Sequence, residues 1–400
     1  MKANPGGEIA PADVIGRDRL IQRLWETLDR QSVVLVAERR MGKSCVIKKM
    51  LAETPSRFLA FYRDVEGIDT PLGFVERVYQ DVTAHLGGIK RSARRVRGLL
   101  KELAGLEVAG LVKLPPAVAA HWKTILEKSV EDLLDEQSHT VVLFWDELPL
   151  MLQKIRAATD DRAAMEVLDT LRALRQTYDR LRMVYTGSIG LHHVASSLRE
   201  AGHVNDATND MRTIEVPPLA DDDALYLARE LIQGEQLACG DLDAAASTIT
   251  SAVDNIPFYV HHVVSQMKDR GDAASCELAE AIASAALRDP QDPWHLQHYR
   301  ERLREYYGQD RLPVVLAVLD SLAVHEAGLA LGDLARELGS SLDPEPSQTA
   351  RRVVEGDLEL LRGLLILLQR DHYVQQETNN TYVFRFSLLR RWWRLNRSLP

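Results

Sequence analysis

Cysteine is scarce. Only Cys45, Cys239 and Cys276 occur among 400 residues, with no CxxC and no Cys/His pair at metal-ligand spacing. That pattern excludes a disulfide-stapled scaffold or a structural zinc site and fits reduced thiols. No apolar run approaches the roughly 18 residues needed to cross a bilayer, which excludes an integral helical membrane protein. Residues Met1 to Ala10 lack a basic region followed by an apolar core, so no secretion signal is read and a cytoplasmic location is expected. Nor is positive charge in excess: the net charge of −9 argues against blanket attraction to nucleic acid, though not against a local basic surface. No internal repeat at a solenoid period is present.

What is present is the composition of an ordinary folded chain, with length for two to four packed units. Val33 to Ala37 is a short apolar run that ends in a polar stretch before a helical pattern from Lys43 to about Glu53, and reads as buried strand, loop and helix. Phe58 to Asp64 reads as the next strand and Gly73 to His85 as an amphipathic helix. Further strands are expected at Thr140 to Trp145, Met183 to Thr186 and Thr213 to Val216. Strands separated by helices imply an α/β domain with a parallel sheet. Between Gly87 and Pro116 the pattern breaks into an insertion, with a basic stretch (Lys90, Arg91, Arg94, Arg95, Arg97, Lys101) and a candidate hairpin around Gly110. From Asp221 to about Asp289 the pattern is helical, with helices at Ala224 to Glu235, Leu242 to Ala252 and Phe258 to Asp269. The C-terminal block reads as helices Val314 to Val324, Leu331 to Leu338 and Gln348 to Gln369, then strands Tyr373 to Val374 and Tyr382 to Phe386, the pattern of a winged helix. The expected division is therefore a core over 1–218 with an insertion at about 87–116, a helical subdomain over 219–306, and a winged helix over 307–400.

The chemistry concentrates at two places. Ala37-Glu38-Arg39-Arg40-Met41-Gly42-Lys43-Ser44 matches GxxxxGK[ST] except that alanine replaces the first glycine. Set between a strand and a helix, such a P-loop cradles phosphates on backbone N–H groups, with Lys43 on the β/γ-phosphates and Ser44 on Mg²⁺; Cys45 continues the helix start. Alanine at 37 is harmless if its φ is negative and a strain if it is not. Asp146 and Glu147 end the strand Thr140 to Trp145, where open parallel sheets bind ligands. Asp146 suits Mg²⁺ and Glu147 the attacking water, a Walker B pair. Thr186 and Ser188, after the next strand, are placed to contact the γ-phosphate or the water, or else serve simple turn chemistry. The long interval from Lys43 to Asp146 leaves room for an additional strand.

Taken together, VIGRDRLIQRLWETL, VVLVAERRMGKS, VVLFWDE and VYTGSIGL resemble STAND-class AAA+ P-loop ATPases related to origin-recognition-type ATPases, over nearly the whole chain. The resemblance implies ATP or ADP and Mg²⁺ as ligands, with Ile15, Gly16 and Arg17 near the adenine and the helical subdomain as a lid. It also implies a lid motif, G-x-P in the family, which here is Asp254-Asn255-Ile256-Pro257, so Pro257 is the lid candidate. Arg39 and Arg40 resemble the family's paired arginines, which reach phosphate or a neighbouring subunit. No sensor arginine is assigned in the lid, and an arginine finger in trans is equally open.

The third helix of the C-terminal block carries Glu355, Asp357 and Glu359, and from Gly308 onward 11 Arg and Lys face 12 Asp and Glu, so the basic footprint of a duplex reader is missing. The tail Leu388 to Arg397, LLRRWWRLNR, suits packing on the chain itself or contact with a nucleic acid or membrane. With Lys43 and Glu147 both present, hydrolysis of ATP to ADP and phosphate is expected, used as a slow switch. STAND proteins usually join the switch to an effector or a repeat sensor. Neither is attached here, so the expected partner is a separate effector protein, as antiviral defence modules resembling this arrangement require, with a nucleotide-dependent homo-oligomer also admissible. The alternatives are an origin-recognition-like ATPase that loads or remodels proteins on duplex DNA, and a nucleotide-binding scaffold without turnover.

Overall fold

The structure is a computed structural model that describes residues 1–400 except 87–93, 105–113, 137, 188–189, 201, 203–205 and 346, and the side chains of 94, 97, 103–104, 197 and 199–200. The candidate hairpin around Gly110 lies outside the described residues. Contacts divide the chain into two compact units, an α/β unit of Arg17–Ala37 and Lys43–Val216, and a helical unit of Met1–Gly16, Glu38–Gly42 and Pro217–Pro400.

The α/β unit is built on five parallel strands, β1 (Val33–Val36), β2 (Phe58–Asp64), β3 (Thr140–Asp146), β4 (Leu181–Tyr185) and β5 (Arg212–Glu215), in the order β2-β3-β4-β1-β5. All pairings are parallel, with Phe58 opposite Thr140 and Asp64 opposite Asp146 at the two ends of one register. β3 is apolar from Val141 to Trp145 and every one of those residues is buried, as expected of a strand covered on both faces. The helix Lys43–Ala52 follows β1, Pro71–Leu86 follows β2 and Leu148–Ala158 follows β3. Pro71 opens its helix at the position where a missing N–H costs nothing. Asp160 caps Asp161–Thr177 by accepting from the Ala163 N–H at 2.7 Å.

A buried arginine ties that last helix to the approach to β5. Arg175 donates through Nε and Nη2 to both oxygens of Asp210 (2.9 and 2.8 Å), to the Ala207 carbonyl (2.7 Å) and to the Tyr185 hydroxyl. Its side chain is 2% exposed.

The helical unit begins its long helical run at Asp221–Gly234 and continues through Leu242–Ala252, Pro257–Arg270 and Cys276–Ala286. Gln297–Val324 follows, broken at Gly308, whose φ of 59° and ψ of 179° are not helical. The helices Leu331–Ser341, Gln348–Val354 and Leu358–Arg370 then run between the first strand and the other two of a three-stranded antiparallel sheet. Its strands β6 (Leu329–Ala330), β7 (Val374–Gln376) and β8 (Thr381–Phe384) lie in the order β6-β8-β7. The single helix expected over Gln348 to Gln369 is two. Gly356 adopts φ 93°, and Asp357 starts a new helix by accepting from the Leu360 N–H at 2.9 Å, a cap stronger than the apolar periodicity that runs across the break. β6 was not expected, because two residues are too few to show alternation. The chain ends in the helix Ser387–Asn396, with Trp392 and Trp393 buried.

Replacing Arg175 with Met would leave the Asp210 carboxylate half-buried without its fork. The expected result is a loss of about 3–5 kcal/mol of stability, read by urea denaturation of the α/β unit's transition in the full chain.

Candidate functional site

In the α/β unit the carboxyl ends of β2, β3 and β4 and the start of the helix after β1 share one edge. Asp146 closes β3, is 6% exposed, and accepts a hydrogen bond from the Tyr62 hydroxyl at 3.0 Å and one from the Glu147 N–H at 3.1 Å. Burial raises its pKa above the ordinary 3.8. The Lys43 charge and the Tyr62 bond oppose the rise, and the Glu147 and Asp64 charges add to it. Tyr62 is pushed up in turn, first by its own burial and then by the Asp146 charge. Lys43 reaches across the edge to donate from Nζ to the Gly187 carbonyl.

Thr186 stands just past β4. Its N–H donates to the Trp145 carbonyl and its own carbonyl accepts from the Leu148 N–H, both at 3.1 Å. Its side-chain oxygen is buried and has no hydrogen-bond partner among the described residues, an arrangement that costs stability. Glu147 adopts the left-handed backbone (φ 59°) at the head of the helix Leu148–Ala158, a turn unusual for a residue with a Cβ. Ser188 lies outside the described residues, and Ser44 is exposed at the start of the helix Lys43–Ala52, followed by half-buried Cys45.

The Asp146 carboxylate, with the Asp64 and Glu147 charges beside it, offers the oxygen ligands that a hard cation such as Mg²⁺ takes. The sequence reading missed Tyr62 and Asp64. The β2/β3 register that sets Asp64 opposite Asp146 is the feature that finds them.

The stretch Glu38–Gly42 belongs to the helical unit. Within it Arg40 (φ 73°) and Gly42 (φ 83°) take left-handed backbone, whereas Ala37 does not, so alanine in place of the first glycine introduces no backbone strain. Arg40 lies over the Phe258 ring at 4.0 Å from its centroid, and Met41 is buried. Arg39 is exposed, and its N–H donates to the Glu38 carboxylate at 2.7 Å. Pro257 opens the helix Pro257–Arg270, beside Phe258, so the expected lid motif and the loop stretch meet here. Asn255 takes φ 56°, the conformation glycine would supply in the family's motif and one that asparagine tolerates. Its carbonyl accepts from the Leu219 N–H at 3.1 Å and its side-chain amide donates to Asp221 at 2.7 Å. Gly16 has φ 69°, and a Cβ there would meet the Asp223 side chain at 2.7 Å; Ile15 beside it is half-buried. Arg17, which opens the α/β unit, is buried.

No protein-family model and no curated protein matches the sequence. Among solved structures the chain is similar to a Walker-type ATPase of Pyrococcus abyssi over 98% of this chain and 100% of that one, with a TM-score of 0.66 and 17% identity. It is also similar to the Aeropyrum pernix ORC2 protein in its ADPNP–ADP complexes, over 95% of this chain and 92% of that one, with a TM-score of 0.50 and 13% identity. At these identities the likeness bears on architecture: this chain shares with that Walker-type ATPase a fold with a parallel five-stranded α/β unit and a C-terminal helical region.

Proposed function

We propose that this chain binds ATP and hydrolyses it slowly to ADP and phosphate, as a switch that controls a separate effector protein. The observation that carries the reading is the meeting, at one edge of the sheet, of the Lys43 ammonium, the buried Asp146 carboxylate and the unpartnered Thr186 hydroxyl. In this reading Lys43 draws negative charge from the phosphates, Ser44 and Asp146 hold Mg²⁺, and Thr186 donates to the γ-phosphate or the attacking water. Mg²⁺, when bound, supplies neutralisation of phosphate charge. Glu147 orients the water and accepts its proton. Ile15, Gly16, Arg17 and Pro257 are proposed for the base side, and the backbone of Ala37 to Cys45 for the phosphates, with Arg39 and Arg40 available to a phosphate or a neighbouring subunit. The nucleotide complexes of the ORC2 protein support a nucleotide in this fold.

The switch reading gains support from the grip of the C-terminal block on the lid motif. The Asp254 carboxylate accepts from the Leu388 N–H at 2.6 Å, and Arg391 donates to the Ala252 carbonyl, so the last helix is tied to the residues just before Pro257. We read that block as a winged helix from its helices and the β6-β8-β7 sheet.

DNA loading is the rival reading, and four of the described candidate cations, Arg95, Arg390, Arg394 and Arg397, are engaged within the chain. Arg95 lies against Glu131 and Asp132 and pairs with Asp135. Arg390 pairs with Glu326 at 2.6 Å, Arg397 with Asp320 at 2.9 Å, and Arg394 donates to the Pro400 carbonyl at 2.9 Å. Trp393 donates from its indole to Asp320 at 2.8 Å, so the tail packs on its own unit.

Two outcomes are expected. Glu147→Gln should keep ATP binding while turnover falls about 10²- to 10⁴-fold, and duplex DNA should leave the wild-type rate unchanged; stimulation by DNA would favour the loader instead. The second concerns Asp146. Its folded-state pKa is raised, so its contribution to folding is present below 3.8 and fades as pH climbs through the raised value. At neutral pH Asp146→Asn should therefore melt at a higher temperature than wild type, with the difference shrinking below pH 3.8, while Mg²⁺-dependent turnover is lost. A lowered melting temperature at pH 7 would contradict it.

A further inference from the structure

Glu38 is the second residue of the P-loop motif, and an acid there is out of place beside phosphates, since like charges a few ångströms apart repel strongly wherever water is excluded. Its side chain is 1% exposed and is gripped by Arg302, itself 5% exposed. Arg302 donates from Nη1 to Oε1 at 2.9 Å and from Nη2 to Oε2 at 2.8 Å, a two-pronged fork on the carboxylate. Two further donors are also held. Nε donates to the Tyr373 hydroxyl at 2.7 Å and Nη2 to the Asp371 carbonyl at 2.8 Å. The guanidinium lies over the rings of Tyr299 and Tyr373, at 4.9 and 4.7 Å from their centroids. Tyr307 donates to the Asp371 carboxylate at 2.6 Å, closing the network.

We infer that Arg302 is a positioning residue for the phosphate loop: it neutralises Glu38 and holds it turned away, so that nucleotide affinity is set from the C-terminal region through Tyr373 and Asp371. The inference rests on the nucleotide reading above. Glu38 also accepts from the Arg39 N–H, so the fork fixes the loop backbone immediately before Arg40, whose left-handed conformation needs outside support. Burial works against the charge on Arg302, but the Glu38 charge and hydrogen bond outweigh it and hold the guanidinium pKa well above its ordinary value. Removing Arg302 therefore leaves a buried carboxylate uncompensated at the mouth of the phosphate site, whereas removing both charges does not.

The test is a double-mutant cycle read as the Kd for ATP in the full-length protein, by calorimetry with Mg²⁺ present. Arg302→Met should weaken binding by at least about tenfold, and adding Glu38→Gln to it should recover most of that loss, so that the double variant binds within about threefold of Glu38→Gln alone. Unchanged affinity in Arg302→Met, or a double variant as weak as Arg302→Met, would overturn the inference and leave Arg302 a packing residue. Should Arg302→Met fail to fold, Arg302→Lys carries the test: it keeps a cation but loses the fork, and about three- to tenfold weaker binding is expected. Wild-type affinity with a lowered melting temperature would again overturn it. If wild type binds no ATP, the nucleotide reading itself falls; if wild type binds and the variants match it, only the role of Arg302 falls.

Discussion

Because the five strands of the sheet run in one direction, all their carboxyl ends lie on one edge, and every residue that sits there follows from that constraint. β4 lies between β1 and β3, so the carboxyl end of β1 and the acids that end β3 are separated by the width of one strand. Thr186, one residue past β4, fills that gap. Lys43, at the head of the helix that follows β1, reaches the adjacent Gly187 carbonyl. If β4 lay outside β3 instead, Thr186 would not sit between the end of β1 and the acids. The same order brings Asp64 and Tyr62 of β2 alongside Asp146.

The edge is not arranged for stability alone. A carboxylate 6% exposed, a threonine hydroxyl without a partner among the described residues, and left-handed backbone at Glu147 each raise the free energy of the fold. Side-chain caps at Asp160, Asp241, Ser275, Ser347 and Asp357 and a glycine at the left-handed end of Pro257–Arg270 lower it.

Much of this was legible in sequence, and for identifiable reasons. β2 was bounded correctly because its apolar run is flanked by turn residues, and the helix Leu242–Ala252 because its period is clean. Asp146 and Thr186 stand out in the sequence because each follows an apolar strand, and Lys43 because it opens a helix after a polar loop. Tyr62 and Asp64 were not singled out, since their importance depends on register, which no local pattern encodes. The break at Gly356 was hidden by leucines whose spacing continues across it. Glu38 and Arg302 are the clearest limit. A lone glutamate in a polar loop and a lone arginine on a charged helix give no local sign that they meet, 264 positions apart.

The buried fork also constrains how a nucleotide signal can travel. An ion pair this far from water is strongly destabilised when one partner leaves, because each charge alone would face the desolvation penalty that the other now offsets. Stretching the pair part-way is no cheaper, since the hydrogen bonds weaken before water can replace them. A phosphate arriving at the loop therefore cannot move Glu38 gradually. Either the loop and Arg302 shift together, taking Tyr373 and Asp371 and hence the start of β7 with them, or the fork opens fully and Glu38 exchanges Arg302 for solvent. Both alternatives are discrete states rather than a continuum, and both alter the C-terminal block. Two-state behaviour of that kind is what the proposed nucleotide-controlled switch requires, and under that proposal it originates in the Glu38–Arg302 pair.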